Sequence, residues 1–154
     1  MTKVTIIMGS ASDEAQVSGA FQVLDYFGVQ YESKVLSAHR SPEQLVHYIK
    51  EAEAKGISIF IAAAGMAAHL AGAIAAHTNL PVIGVPLASG ELQGIDALLS
   101  TVQMPTGIPV ATMTIGKTGA GNAAIFAVRI LALTDENLRQ KLIEFAKNGC
   151  RLPT

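Results

Sequence analysis

Short strand-like runs, most of them apolar and β-branched and one alternating, constrain this chain more than any other feature by their regular exchange with helix-length segments. Val4–Met8, Tyr31–Leu36, Ile57–Ala62, Pro81–Val85 and Val110–Thr114 read as strands. Asp13–Phe27, Pro42–Lys55, His69–Ala76 and Ile95–Ser100 lie between them and read as helices. Two more helices, Ala120–Leu133 and Asp135–Asn148, follow the last strand. Strands separated by helices are joined by crossovers rather than hairpins, so they run parallel, with helices covering both faces of the sheet. The tail beyond Asn148 is short and is expected to be loose.

The stretch from Ile57 to Val85 is mostly Ala, Ile, Leu, Val and Gly, long enough to suggest a membrane span. Gly65, His69, Gly72, His77, Asn79 and Pro81 break it into shorter pieces. Parallel strands buried on both faces are as continuously apolar as membrane helices, and the membrane reading is rejected. The predicted fold is α/β: a single flavodoxin-like, doubly wound, three-layer domain over residues 1–154, with a five-stranded parallel sheet and a C-terminal helix. Half of the residues are hydrophobic and only 15% are charged, with a mean hydropathy of +0.39. Apolar faces are therefore expected to meet in an oligomer, with the small side chains of the His69–Ala76 helix allowing close approach between subunits. A net charge of −1 offers no basic footprint for nucleic acid. The expected location is the cytoplasm: there is no signal-peptide pattern, and the single cysteine, Cys150, can form no internal disulfide.

Ligands of such folds sit at the carboxyl ends of the strands, and two segments there bear chemistry. Ser37-Ala38-His39-Arg40-Ser41-Pro42 follows the second strand. Ser41 makes a good N-cap, Pro42 suits the first helical position, and Gln44 completes an S-x-x-Q capping box. Arg40 offers a planar fork of donors to a phosphate, and His39 can move a proton near neutral pH. Met8-Gly9-Ser10-Ala11-Ser12-Asp13 follows the first strand. Gly9 permits a tight turn, Ser12 can cap the helix, and free backbone N–H groups beside two hydroxyls make a phosphate cradle. Asp13 repels phosphate but suits a ribose diol. A capped helix with exposed polar residues accounts for either segment alone; the two together point to a nucleotide-monophosphate site. The loop Ala62–Gly72 opens into the same crevice, with side chains small enough for its amides to approach a carboxylate or carbon dioxide.

Other candidates are weaker. Gly116-Lys117-Thr118 resembles the end of a phosphate loop, but Ala111 stands where that pattern needs glycine. His47 shares an i, i+4 spacing with Glu43 and Glu51 that could hold a metal; a solvated helix face explains it better, and no metal is expected. His77 fits near a helix end, where the dipole favours it without a function.

Four motifs occur in a fixed order: Met8-Gly9-Ser10-x-Ser12-Asp13, Ser37-Ala38-His39-Arg40-x-Pro42, Ala67-Ala68-His69-Leu70 and Val102-Gln103-Met104-Pro105. With Gly84-Val85-Pro86 and Gly107-Ile108-Pro109-Val110, the chain from Val4 to about Leu133 resembles the bacterial 5-(carboxyamino)imidazole ribonucleotide mutases of purine synthesis. These are small catalytic subunits formerly called phosphoribosylaminoimidazole carboxylases. The resemblance implies a homo-octameric isomerase that moves a carboxylate from the exocyclic nitrogen of an aminoimidazole ribonucleotide to a ring carbon, without metal or organic cofactor. It implies that His39 is the acid/base residue and that Ser10, Ser12, Ser37 and Arg40 hold the phosphate. Asp13 would hold ribose hydroxyls, and the loop with Gly65, Ala68, His69 and Leu70 would cover the base and carbon dioxide. His69 is the second functional histidine, although its loop can serve through backbone alone. The chain departs from the family pattern at Ala63 and Met66, where glycines are usual, at Ala71, where proline is usual, and at Glu14, where tryptophan is frequent. Met66 is expected to narrow the pocket or stiffen the loop.

Two other readings stay open. An animal-type carboxylase uses free carbon dioxide, but it has lysine and glycine after Ser-Ala-His and lacks the Ala-Ala-His-Leu loop, so Arg40 and Ala67–Leu70 favour the mutase. A non-catalytic flavodoxin-like nucleotide-binding or receiver module is possible on fold alone. A receiver would want clustered acids at the end of the first strand, where this chain offers Asp13.

Overall fold

The computed structural model describes residues 3–152. The strands are β1 (Val4–Met8), β2 (Tyr31–Val35), β3 (Ile59–Gly65), β4 (Val82–Leu87) and β5 (Ala111–Thr112). Between and after them come α1 (Glu14–Phe27), α2 (Pro42–Ala54), α3 (Leu70–Ala75), α4 (Ile95–Val102), α5 (Lys117–Leu131) and α6 (Glu136–Lys147). All the strands pair in parallel, in the order β2-β1-β3-β4-β5. This is the flavodoxin-like order, and its reversal point lies between β1 and β3. β3 sits further along the chain than the expected Ile57–Ala62, because Ala63, Ala64 and Gly65 stay paired with Val85, Pro86 and Leu87. α5 begins at Lys117 rather than Ala120, capped by Gly116.

Successive strand residues point to opposite faces, and both faces are covered. Val4, Ile6, Ile59, Ile61, Ile83 and Val85 pack with Val17 and Leu24 of α1 and with Ala123 and Ala127 of α5. Ile7, Phe60, Ala62 and Val82 face the other way, onto Leu45 and Ile49 of α2 and Ile74 of α3. This two-sided burial is why the strands read as unbroken apolar runs. The edge strand β2 is polar and has no buried residue; in the buried β1 the exception is Thr5, fully buried, whose Oγ1 lies 2.5 Å from the Tyr48 hydroxyl. Tyr48 in turn donates to Glu32 at 2.6 Å. Burial, then the Glu32 bond, holds the Tyr48 phenol well above its ordinary pKa.

As far as Leu152 the tail lies against the domain. The Cys150 N–H donates to Phe145 O at 3.0 Å, and Leu152 packs on the core beside α6. A turn through Gly149 and Cys150, both at positive φ, sends it back. Residues 153–154 lie outside the described part. Among the described residues no helix is long and apolar enough to cross a membrane.

Candidate active site

A cavity of about 510 Å³ opens at the carboxyl ends of β1 and β3, beside the reversal point of the strand order. Its walls come from the four loops that follow β1, β2, β3 and β4. Residues that are distant in sequence meet there because parallel strands deliver all their outgoing loops to one edge.

The loop after β1 forms a short 3-10 turn, Ala11–Asp13, before α1. Ser10, not Ser12, is its cap. The Ser10 Oγ accepts from the Ser12 N–H at 3.4 Å, while the Asp13 carboxylate accepts from the Ser10 N–H at 2.9 Å, a reciprocal capping box. The Asp13 N–H is bonded to Ser10 O. The N–H groups of Ser10, Ser12 and Asp13 are therefore bonded within the turn. Ser12 Oγ donates to Ser10 Oγ at 3.0 Å, so the two hydroxyls form a pair on the cavity wall. Burial raises the Asp13 carboxyl above its ordinary value, and the Ser10 N–H bond pulls it partly back. Gly9 has no left-handed backbone, and a Cβ there would meet only ordinary contacts.

After β2 the chain makes a tight turn from Ser37 to Ser41. Ser37 O accepts both the Ser41 N–H and the Ser41 Oγ, and Ser37 Oγ accepts the Arg40 N–H at 3.2 Å. Ser41 is the N-cap residue of α2, but its hydroxyl turns back into this turn and makes no capping bond, so the S-x-x-Q box does not form. Pro42 takes the expected first helical position. The turn aims Arg40 across the edge of the sheet, where its guanidinium donates to Gly9 O at 3.3 Å. Arg40 thus lies beside the Ser10–Ser12 pair, a positive charge next to two hydroxyls.

The same turn places His39 against the loop after β3. His39 Nε2 and His69 Nδ1 are 2.7 Å apart, with the rings edge to face at 85°. One nitrogen donates and the other accepts, so the pair holds one proton between the two rings. The loop that carries His69 therefore contributes a side chain as well as backbone. Gly65 and Leu70 line the cavity with it; Ala68 does not. Ala68 is 2% exposed and its N–H donates to Ser100 Oγ at 3.0 Å, because the loop turns its amide towards α4.

Two contributors were not visible in sequence. Ser89, in the loop after β4, lines the cavity and stands where a Cβ on Gly65 would run into its Oγ. Its only local signal is a Ser-Gly pair after a strand. Gln16 of α1 holds this loop through both amide atoms, donating to Ala88 O at 3.0 Å and accepting from the Ala88 N–H at 3.1 Å. Nothing local distinguishes it from an ordinary helix glutamine. Met66 lines the rim with φ 54°, a left-handed backbone that costs a non-glycine residue about 1 kcal/mol. His47 lies apart from the site, 3.7 Å from Glu51 on the exposed face of α2, and among the described residues no group of three side chains gathers that could hold a metal.

A family model described as AIR carboxylase matches residues 3–151. The N5-carboxyaminoimidazole ribonucleotide mutase of Saccharolobus solfataricus is 51% identical over 148 residues, covering 96% of this chain and 92% of that protein. The protein of the same name from Bacillus subtilis is 53% identical over 145 residues, with coverage of 94% and 90%. The crystal structure of Treponema denticola PurE has a TM-score of 0.88 at 29% identity, over 97% of this chain and 92% of that one. By sequence over nearly its full length, and by the arrangement of its strands, the chain belongs to the AIR carboxylase family.

Proposed function

We propose that the protein is an isomerase of purine (IMP) biosynthesis that converts 5-(carboxyamino)imidazole ribonucleotide to 4-carboxy-5-aminoimidazole ribonucleotide. The observation that carries this reading is the 2.7 Å His39–His69 pair, set between a cation with two hydroxyls and a loop of small side chains. The phosphate fits Arg40, Ser10, Ser12 and the hydroxyl proton of Ser37, and the free oxygen of Asp13 suits a ribose hydroxyl. This leaves the aminoimidazole over His39 and beneath Gly65, Met66 and Leu70.

The chemistry needs one proton moved twice. The bond between the exocyclic nitrogen and the carboxylate carbon breaks, carbon dioxide leaves, and His39 supplies the proton that neutralises the nitrogen. The nucleophilic ring carbon then attacks carbon dioxide, and the ring proton it sheds returns to His39. Imidazole suits both directions near neutral pH, and His69 fixes the ring while sharing the proton. Nothing in the sequence of steps calls for a metal or organic cofactor.

The test is a carboxylate-transfer assay on purified protein without added bicarbonate. Formation of the carbon-carboxylated ribonucleotide from the nitrogen-carboxylated one is expected. Product formed only from aminoimidazole ribonucleotide and free carbon dioxide would replace this reading by the carboxylase one.

The working assembly in this reading is a homo-octamer of single-domain chains in the cytoplasm, where the exposed Cys150 thiol would stay reduced. Support comes from α4 and from Leu92, three residues before it: Leu92, Ile95, Leu99 and Val102 recur at helical spacing and are each about half exposed or more. The small-residue helix α3 is less suited, because Leu70, Ala71 and Ile74 are buried within their own chain. Sedimentation should show a stable assembly; a 16.1 kDa monomer at micromolar concentration would overturn it.

A further inference from the structure

Gln16 does for β4 what a neighbouring strand would do. β4 ends at Leu87, and its pairing with β3 ends there too, at Gly65. Towards β5 its last tie is the Gly116 N–H on Pro86 O. Ala88, the next residue, leaves the sheet with a backbone donor and acceptor still to satisfy. The Gln16 side chain meets both: Nε2 donates to Ala88 O at 3.0 Å, and Oε1 accepts the Ala88 N–H at 3.1 Å. A side-chain amide matches a peptide group in both senses at once. Gly116 leaves room for it, since a Cβ there would lie 3.6 Å from Oε1.

The loop that follows depends on this anchor. Gly90, Glu91, Leu92 and Gln93 are exposed, so apolar burial does little to hold them, and Gly90 and Gln93 lie at φ 64° and 50°. At the start of the loop Ser89 faces the cavity, its hydroxyl over the Cα of Gly65. Gln16 itself stands in the first turn of α1, three residues after Asp13 and the turn that carries Ser10 and Ser12. One helix start thus bears both the polar turn on one side of the cavity and the clamp on the opposite wall. We propose that Gln16 is a positioning residue of this active site, locking the β4–α4 loop to the Ser10–Asp13 turn and so fixing where the Ser89 wall stands against the base of the ribonucleotide. What lies between the two walls rests on the mutase reading above.

The experiment compares ribose 5-phosphate affinity with turnover at saturating substrate. Gln16→Met keeps the length of the side chain without its amide. Gln16→Glu keeps the bond from the Ala88 N–H but turns a second oxygen on the Ala88 carbonyl. Both variants should bind ribose 5-phosphate as wild type does, because Ser10, Ser12, Asp13 and Arg40 are untouched. In both, turnover should fall by about 10–10²-fold, the scale of a small misplacement caused away from the chemistry. Asp135→Ala is the control for stability alone: Asp135 caps α6, beside the residues that lead into the strands at the other edge of the sheet. It should lower the melting temperature and leave turnover unchanged. Wild-type turnover in either Gln16 variant would overturn the proposal. So would ribose 5-phosphate binding lost in step with turnover, or an equal fall in turnover in Asp135→Ala. Wild-type protein that forms product only from aminoimidazole ribonucleotide and free carbon dioxide would overturn the mutase reading instead, and the same comparison run on that reaction would still decide the role of Gln16. Wild-type protein active in neither reaction would overturn both.

Discussion

His39→Asn is expected to leave ribonucleotide binding intact while carboxylate transfer falls by about 10²–10⁴-fold, the usual worth of a positioned acid/base group. Asparagine keeps a polar group facing His69, but an amide neither gives up nor takes a proton near neutral pH. The phosphate and ribose contacts are made by other side chains, with Arg40 anchored to Gly9 O and Ser10 held by Asp13. Turnover at saturating substrate and calorimetric affinity therefore separate the two roles. Arg40→Lys should show the opposite pattern, a loss of binding of about 1.5–3 kcal/mol, because an ammonium cannot reproduce the guanidinium fork. The 2.7 Å contact makes His69 the rival base. If His69→Asn abolishes turnover and His39→Asn does not, the assignment is wrong.

The largest loss of stability is expected from Gly119→Ala, at about 3 kcal/mol or more. A Cβ at Gly119 would overlap the carbonyl oxygen of Thr114 and stand 2.8 Å from its carbon. These are backbone atoms, and the segment has little room to retreat. The Met113 N–H is bonded to Gly84 O and the Gly116 N–H to Pro86 O, both at 2.8 Å, tying it to β4. Gly121, on the same helix, is the control. A Cβ there meets nothing within 4 Å, so Gly121→Ala should stabilise by roughly 0.5–1 kcal/mol through helix propensity alone. Chemical denaturation of the two variants reads the difference directly. Equal midpoints would show that the close approach at Gly119 does not govern packing there.

The strands, the helices and the edge that holds the site follow from the sequence by itself. Period-two burial on both faces of a parallel sheet leaves apolar runs, and runs such as Val4–Met8 are local patterns. Ser10 and Asp13 were legible as polar residues placed just after such a run, and His39 and Arg40 as polar residues between a short alternating strand and a Pro-started helix. The tertiary structure decided which hydroxyl caps which turn: Ser10 does so with Asp13, while Ser41 turns back to Ser37. It also turned the Ala68 amide to Ser100 and clamped the Ser89 loop with Gln16. Above all it brought His69 to His39 across thirty residues. These contacts depend on strand order and on how two crossovers face each other, and a periodic pattern within one segment holds no information about either.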